Sequence, residues 1–197
     1  ACIFAGQYTG IDRQHLGFSQ YSVTTSDFDA LWNDGYVDAL RNAIITEEAA
    51  NNENIGPVTI GITQVLQAQS FGTLTALYGD IPFDEAVNGG FPNPMFNNQL
   101  DVYSKIQTLL DNAISNLQQG SGKPAIGSDI YFDGNPQAWI ENAYTLKARF
   151  YMHIKDYPKA YTAAQNGISF SGNSMYGPHG TAAEDFNLNY QFFAIEV

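Results

Sequence analysis

Leu77-Tyr78-Gly79-Asp80-Ile81-Pro82-Phe83-Asp84-Glu85-Ala86 brings a long apolar-periodic segment to an abrupt stop. Gly79 supplies a left-handed cap position. Pro82 cannot continue a helix and biases Ile81 toward extended backbone. Upstream, Pro57 suits a first helical position, and Val58, Ile62, Val65, Leu66, Gln69, Leu74 and Leu77 form one stripe. The stretch therefore predicts a helix over 57–78 and a long loop over 80–97 that carries Pro82, Gly89, Gly90, Pro92 and Pro94. Loops of that length in a compact domain are functional or wrapped on a surface.

The same reading extends in both directions. Residues 1–25 lack a clean period and hold one short helix at most. Ser26 reads as an N-cap for a helix over 27–49, with Asp27 and Asp29 at its positive end and Phe28, Leu31, Trp32, Tyr36, Leu40, Ala43 and Ile44 at helical spacing. Glu47 and Glu48 read as its solvated end. Downstream, Val102, Tyr103, Ile106, Leu109, Leu110, Ala113, Ile114 and Leu117 give a regular apolar face that stops at Gly120-Ser121-Gly122-Lys123-Pro124. Asp129 to Gly134 reads as a short extended piece or turn. Pro136 opens a helix to about Ile154, Asp156-Tyr157-Pro158 turns the chain, and Lys159 to about Ser169 forms a partner helix. No segment alternates enough for a sheet of any size, so the fold class is all-α with long irregular loops.

Composition narrows the functions. With 8 Lys and Arg against 20 Asp and Glu, the formal charge is -12. The basic footprint that nucleic acid requires is missing, and anionic membrane surfaces would repel the chain. Thirteen Phe, 12 Tyr and 2 Trp suit half-buried packing and stacking against sugars. One cysteine, Cys2, excludes an intrachain disulfide or a cysteine-based zinc site. No run reaches the roughly 18 apolar residues that span a bilayer. The terminal Phe192-Phe193-Ala194-Ile195-Glu196-Val197 has no stop signal, and the sequence reads as a fragment trimmed at both ends.

The hairpin over 136–169 has the anatomy of a tetratricopeptide unit. Ala148 and Tyr151 lie on its first helix and Tyr157 and Ala160 flank its turn, where small residues let helices approach and tyrosines fill the groove; Ala164 replaces the larger aromatic usual in that repeat.

With these segments in place, the chain over about residues 7–190 resembles the SusD/RagB family of outer-membrane nutrient-binding lipoproteins. The resemblance rests on Trp32-Asn33-Asp34-Gly35-Tyr36 through Asn42-Ala43-Ile44-Ile45, on Tyr78 through Ala86, and on Val102-Tyr103 through Leu117 with Asp133-Gly134 and Trp139 through Ala164. It implies one all-α SusD-like domain over 1–197, partial in extent, with tetratricopeptide-like hairpins. It also implies a non-enzymatic role at the extracellular face of the outer membrane, held by a lipid anchor this sequence does not contain. The protein would capture oligosaccharides or other nutrients for a SusC-like TonB-dependent transporter. The large C-terminal half that contributes ligand contacts in that family is missing here.

Candidate ligand contacts lie in the irregular segment before the Trp32 helix: Asp12, Arg13, Gln14, Phe18 and Tyr21. Arg13 could donate to sugar hydroxyls or pair with Asp12. The resemblance places part of the family's glycan site in this region. Trp32, on a helical stripe, reads as core. Asp80, Asp84 and Glu85 invite a two-carboxylate glycosidase reading, but helix capping and turn formation explain Asp80 and Asp84 as well. His15, His153 and His179 lack zinc-type spacing, so no metal, cofactor or catalytic residue is assigned. An interaction scaffold of tetratricopeptide type, holding another protein and no small ligand, is the competing class.

Overall fold

The computed structural model describes residues 3, 5–11, 13–87 and 89–180, apart from the side chains of residues 13 and 14. Cys2, Asp12 and the 181–197 segment fall outside that range. The chain forms two compact units, Trp32–Tyr176 and Ala1–Leu31 with Gly177–Val197. Among the described residues the second of these contains helix α1 (Arg13–Ser19) and a 3₁₀ turn (Thr25–Phe28). The N-cap of that turn is Thr24, two residues before the expected Ser26, and the Asp27 carboxylate accepts the Thr24 backbone N–H at 2.7 Å.

The helix expected over 27–49 is helical throughout but not uniform. It runs as α2 (Asp29–Asn33), a π-helical stretch (Asp34–Leu40) and α3 (Arg41–Asn52). The π stretch coincides with a close approach: a Cβ on Gly35 would lie 2.7 Å from the Leu74 side chain. Wider turns of this kind rarely form without tertiary packing to hold them.

Helix α4 (Pro57–Tyr78) is the centre of the Trp32–Tyr176 unit. Val58, Ile62, Val65, Ala68, Phe71 and Leu74 are buried, and so are Thr59, Thr63, Gln64, Gln67 and Thr75. A helix buried nearly all round must satisfy its polar side chains internally. Thr63 donates to Ile60 O at 2.7 Å, and Gln64 accepts from Asn116 and donates to Glu47. Gln67 also donates to Glu47. Glu47 is therefore not the solvated helix end that its neighbour Glu48 suggests; it ties α3 to α4. At the other end, the Val58 and Thr59 N–H groups donate to Ser121 O and Gly122 O at 3.0 Å each. Gly56 and Gly122 permit this: a Cβ on Gly122 would lie 2.3 Å from Gly56 Cα, and both φ angles are positive.

Helix α5 (Gln99–Gln118) packs on α4 with Val102, Ile106, Leu110, Ala113 and Leu117 buried. Helix α6 (Pro136–His153) packs on α5, and α7 (Tyr157–Ala164) on α6. The buried Lys147 Nζ on α6 reaches Asp111 on α5 at 2.7 Å. Helix α7 begins earlier than expected because Asp156, read as part of a turn, accepts the Lys159 N–H as its N-cap. It also stops earlier, since Glu141 draws the following chain onto α6 through Ser169 N and Asn173 Nδ2. Only one strand pair forms among the described residues, the two-residue antiparallel β1 (Ile81–Pro82) and β2 (Phe96–Asn97), with Ile81 opposite Asn97 and Pro82 opposite Phe96.

Candidate functional site

Each acidic residue of the α4 exit has an assigned structural partner. Gly79, at φ 80°, ends α4 with its N–H on Thr75 O at 3.0 Å. The Asp80 carboxylate then accepts the Gln99 N–H at 2.8 Å, supplementing the Asn98 cap at the start of α5. Asn97 closes the hairpin: its Oδ1 accepts Phe83 N at 2.9 Å and Asp84 N at 3.2 Å, while its Nδ2 donates to Asp84 at 2.8 Å. Lys105 bridges Asp84 at 2.6 Å and Asp101 at 2.8 Å. Glu85 accepts Met95 N at 2.8 Å.

This arrangement bears on the glycosidase reading. A general acid in such a pair has its pKa raised by an apolar pocket. The hydrogen bonds from Lys105 and then Asn97 hold the Asp84 carboxyl below its ordinary value instead. These carboxylates fix the loop.

What the fixed loop presents is aromatic. On the π stretch, Tyr36 donates its hydroxyl to Pro82 O at 2.7 Å, and burial pushes that hydroxyl's pKa up. The Tyr36 ring lies 4.7 Å from Trp32, which meets Tyr78 edge-on at 5.0 Å. Trp32, Tyr36 and Tyr78 are half-buried against the core, so Trp32 does pack as its helical stripe suggests. Beyond it the Phe96 ring is stacked at 6.2 Å and 21°, and Phe96 is 62% exposed. Neighbouring Met95 and Phe91 are exposed as well. A phenyl face backed by an indole and held by a closed hairpin is a rigid stacking surface for an apolar face such as that of a pyranose ring.

The expected contact residues lie in the other unit. Arg13 and Gln14 start α1, with their side chains outside the described residues, as is all of Asp12. Phe18 is half-buried, with its ring 6.3 Å from His15. Tyr21 is exposed at φ 55°. Phe91, Met95 and Phe96 are additional candidates that periodicity does not reveal. Their sequence signal is Phe91-Pro92-Asn93-Pro94-Met95-Phe96, where two prolines keep three large apolar residues out of any helix.

A family model described as starch-binding and associating with the outer membrane matches residues 4–187. Among solved structures, the chain is similar to a SusD/RagB family protein of Bacteroides thetaiotaomicron. The identity is 23% and the TM-score 0.86, over 98% of this chain and 42% of that one. It is also similar to a chitin-binding SusD homolog of Flavobacterium johnsoniae, 20% identical with a TM-score of 0.64. That match covers 85% of this chain and 34% of the other. A SusD homolog of Bacteroides fragilis is 18% identical with a TM-score of 0.70, over 93% and 40% of the two chains. The chain thus spans less than half the length of these proteins. At such identities the structural likeness speaks for the helical fold alone. No curated protein matches the chain.

Proposed function

We propose, because this chain belongs to the SusD-like family, that its protein is a non-catalytic glycan receptor at the extracellular face of the outer membrane. It holds oligosaccharides by aromatic stacking and amide or hydroxyl hydrogen bonds, and passes them to a SusC-like TonB-dependent transporter. A lipid anchor provides the membrane attachment; among the described residues no helix is long and apolar enough to cross a bilayer. The observation that supports binding most directly is the Phe96 ring, stacked on Trp32 and exposed on its outer side. The Arg13, Gln14, Phe18, Tyr21 and Asp12 segment is proposed as a further contact region.

Binding needs a preformed face and convergent donors, with no tuned acid or base. The neutral oligosaccharides to try first are those that the family description and the similar chitin-binding protein point to, maltohexaose and chitohexaose. Titration calorimetry on the full-length protein is expected to show saturable binding of at least one of them. Phe96→Ala is expected to weaken it by about tenfold, which corresponds to about 1.4 kcal/mol of stacking. Unchanged affinity in Phe96→Ala would remove the ledge from the site. Absence of binding to any glycan would remove the receptor reading.

A second reading draws on the α6–α7 hairpin, where Tyr157 and Tyr161 are exposed on the outer face of α7. A protein-binding scaffold would use that face and ignore sugars. Tight association with the transporter combined with glycan indifference would favour it.

A further inference from the structure

Arg149 and His153 stand four residues apart on α6 and so share one face of the helix. His153 lines an open cleft of about 340 Å³ with Ala76, Gln99, Leu100, Tyr103 and Ile154, from the ends of α4, α5 and α6, and Arg149 lies one turn back along α6. The volume falls at the lower end of the range for small-ligand sites. Its walls are mixed. Leu100 is 64% exposed and Ile154 is half-buried, so an apolar surface faces outward. The polar groups are a hydrogen-bonded pair, Tyr103 Oη and His153 Nδ1 at 2.9 Å.

The protonation of that pair follows from its surroundings. Burial raises the Tyr103 phenol, with Arg149 opposing, and burial together with Arg149 lowers the His153 imidazole. With the phenol as donor to Nδ1, the neutral ring carries its proton on Nε2. Among the described residues the one side-chain hydrogen bond of His153 is that at Nδ1, which leaves Nε2 open.

Among the described residues Arg149 is one of the cations whose side chain has no acidic partner, as are Arg41, Lys123 and Lys155, and of these it alone stands one turn from His153. Lys105, Lys147 and Lys159 each hold an aspartate within 2.6–2.9 Å. The exposed Arg149 guanidinium has neither an ion pair nor a hydrogen bond among the described residues. A favourable interaction with the α6 C-terminal dipole explains a cation here. It does not explain why the cation stands one turn from an apolar-walled cleft with an N–H donor.

We infer that this cleft takes the carboxylate of an acidic sugar residue, a hexuronate. The carboxylate pairs with the Arg149 fork and accepts from His153 Nε2–H, while the C–H face of the ring rests on Leu100 and Ile154. The net charge of -12 does not forbid this, because exposed charges beyond about 8 Å are largely screened at physiological salt. The inference rests on the glycan-receptor reading and narrows its substrate class to glycans that carry uronic acids.

The test titrates trigalacturonate, maltohexaose and chitohexaose into the full-length protein and trigalacturonate into Arg149→Gln, with circular dichroism confirming an intact fold. Trigalacturonate is expected to bind, to weaken at least tenfold in Arg149→Gln and to recover partly in Arg149→Lys. Equal affinity for trigalacturonate in wild type and Arg149→Gln overturns the inference. So does binding of a neutral oligosaccharide with none of trigalacturonate, which leaves the receptor reading standing. If none of the three binds, the inference falls, and the receptor reading is then decided separately by binding to a wider panel of glycans.

Discussion

Gly72→Ala is expected to destabilise the protein by about 2 kcal/mol, against the usual gain from replacing a helical glycine. In an exposed helix interior that replacement is favourable by about 1 kcal/mol. Here the new methyl would lie 2.1 Å from Phe150 Cζ and 2.3 Å from Cε1, where α6 crosses α4. Phe150 is 1% exposed, and its ring also contacts Tyr103 and His153, so it has no open space to swing into. Overpacking of this kind costs about 1–3 kcal/mol, and a contact this short with a fully enclosed ring belongs at or beyond the top of that range. The net loss corresponds to a melting-temperature fall of about 4–8 °C for a chain of this size. A double-mutant cycle with Phe150→Leu checks the cause. The two substitutions are expected to couple favourably, the double variant losing less than the sum. Strict additivity would show that the clash is relieved elsewhere.

Asp129→Ala is expected to cost about 3 kcal/mol and to remove part of the acid sensitivity of the fold. Asp129 accepts Tyr131 N at 3.0 Å, Phe132 N at 3.2 Å, Gly134 N at 2.8 Å and the Trp139 indole N–H at 2.7 Å. One carboxylate thereby shapes the turn that delivers Asn135 to the N-cap of α6 and anchors the core tryptophan. Trp139 is 1% exposed, so its N–H would be left unpaired, at about 1–3 kcal/mol. The three backbone donors add less, because a loop can return them to water.

Burial pushes the Asp129 carboxyl up, but the indole bond and the three backbone bonds outweigh it, and the net position is below the ordinary value. A carboxyl depressed in the folded state stabilises above its unfolded pKa, about 3.9 for Asp. That contribution is lost as pH falls from about 4 through the lower folded value. Urea melts at pH 7, 4 and 3 are expected to show wild type and Asp129→Ala converging toward low pH. A constant gap across the three would assign the loss to something other than the charged carboxylate.

Much of the scaffold was legible because its signals are local. Gly79 and Pro82 mark one helix end, Pro57 and Pro136 mark two beginnings, and the α5 stripe from Val102 to Leu117 is regular. The all-α class follows from these, while the SusD-like fold was implied only by the resemblance carried at residues 32–45, 78–86 and 102–164. Features that depend on distant partners were not legible. The π stretch over Asp34–Leu40 has ordinary helical periodicity, and its width is seen only with Gly35 against Leu74. Glu47 sits in a Glu-Glu pair that looks solvated, yet the amides that hold it are 17 and 20 residues away.

The candidate site divides along the same line. Asp80, Asp84 and Glu85 were readable as caps and turn-formers because Gly79 and Pro82 end the helix and open the loop that carries them. Phe96 was not readable as a ledge, because its exposure is set by the closure of Asn97 on Phe83 and Asp84, 14 and 13 residues back. The four-residue spacing of Arg149 and His153 carries no signal by itself, because the cleft at His153 needs Ala76 and Leu100 from two other helices. For Arg13, Gln14 and Asp12 the described side chains give no geometry to compare.

The most direct measurement is a crystal structure of the full-length protein grown with a saturating oligosaccharide that calorimetry has shown to bind. The expected result is a sugar ring lying on the outer face of Phe96, with Asp84 still on Lys105 and Asn97 and no bond in the sugar cleaved. A sugar bound elsewhere, with Phe96 bare to solvent, would contradict the ledge, and a cleaved sugar beside Asp84 and Glu85 would contradict the non-catalytic reading.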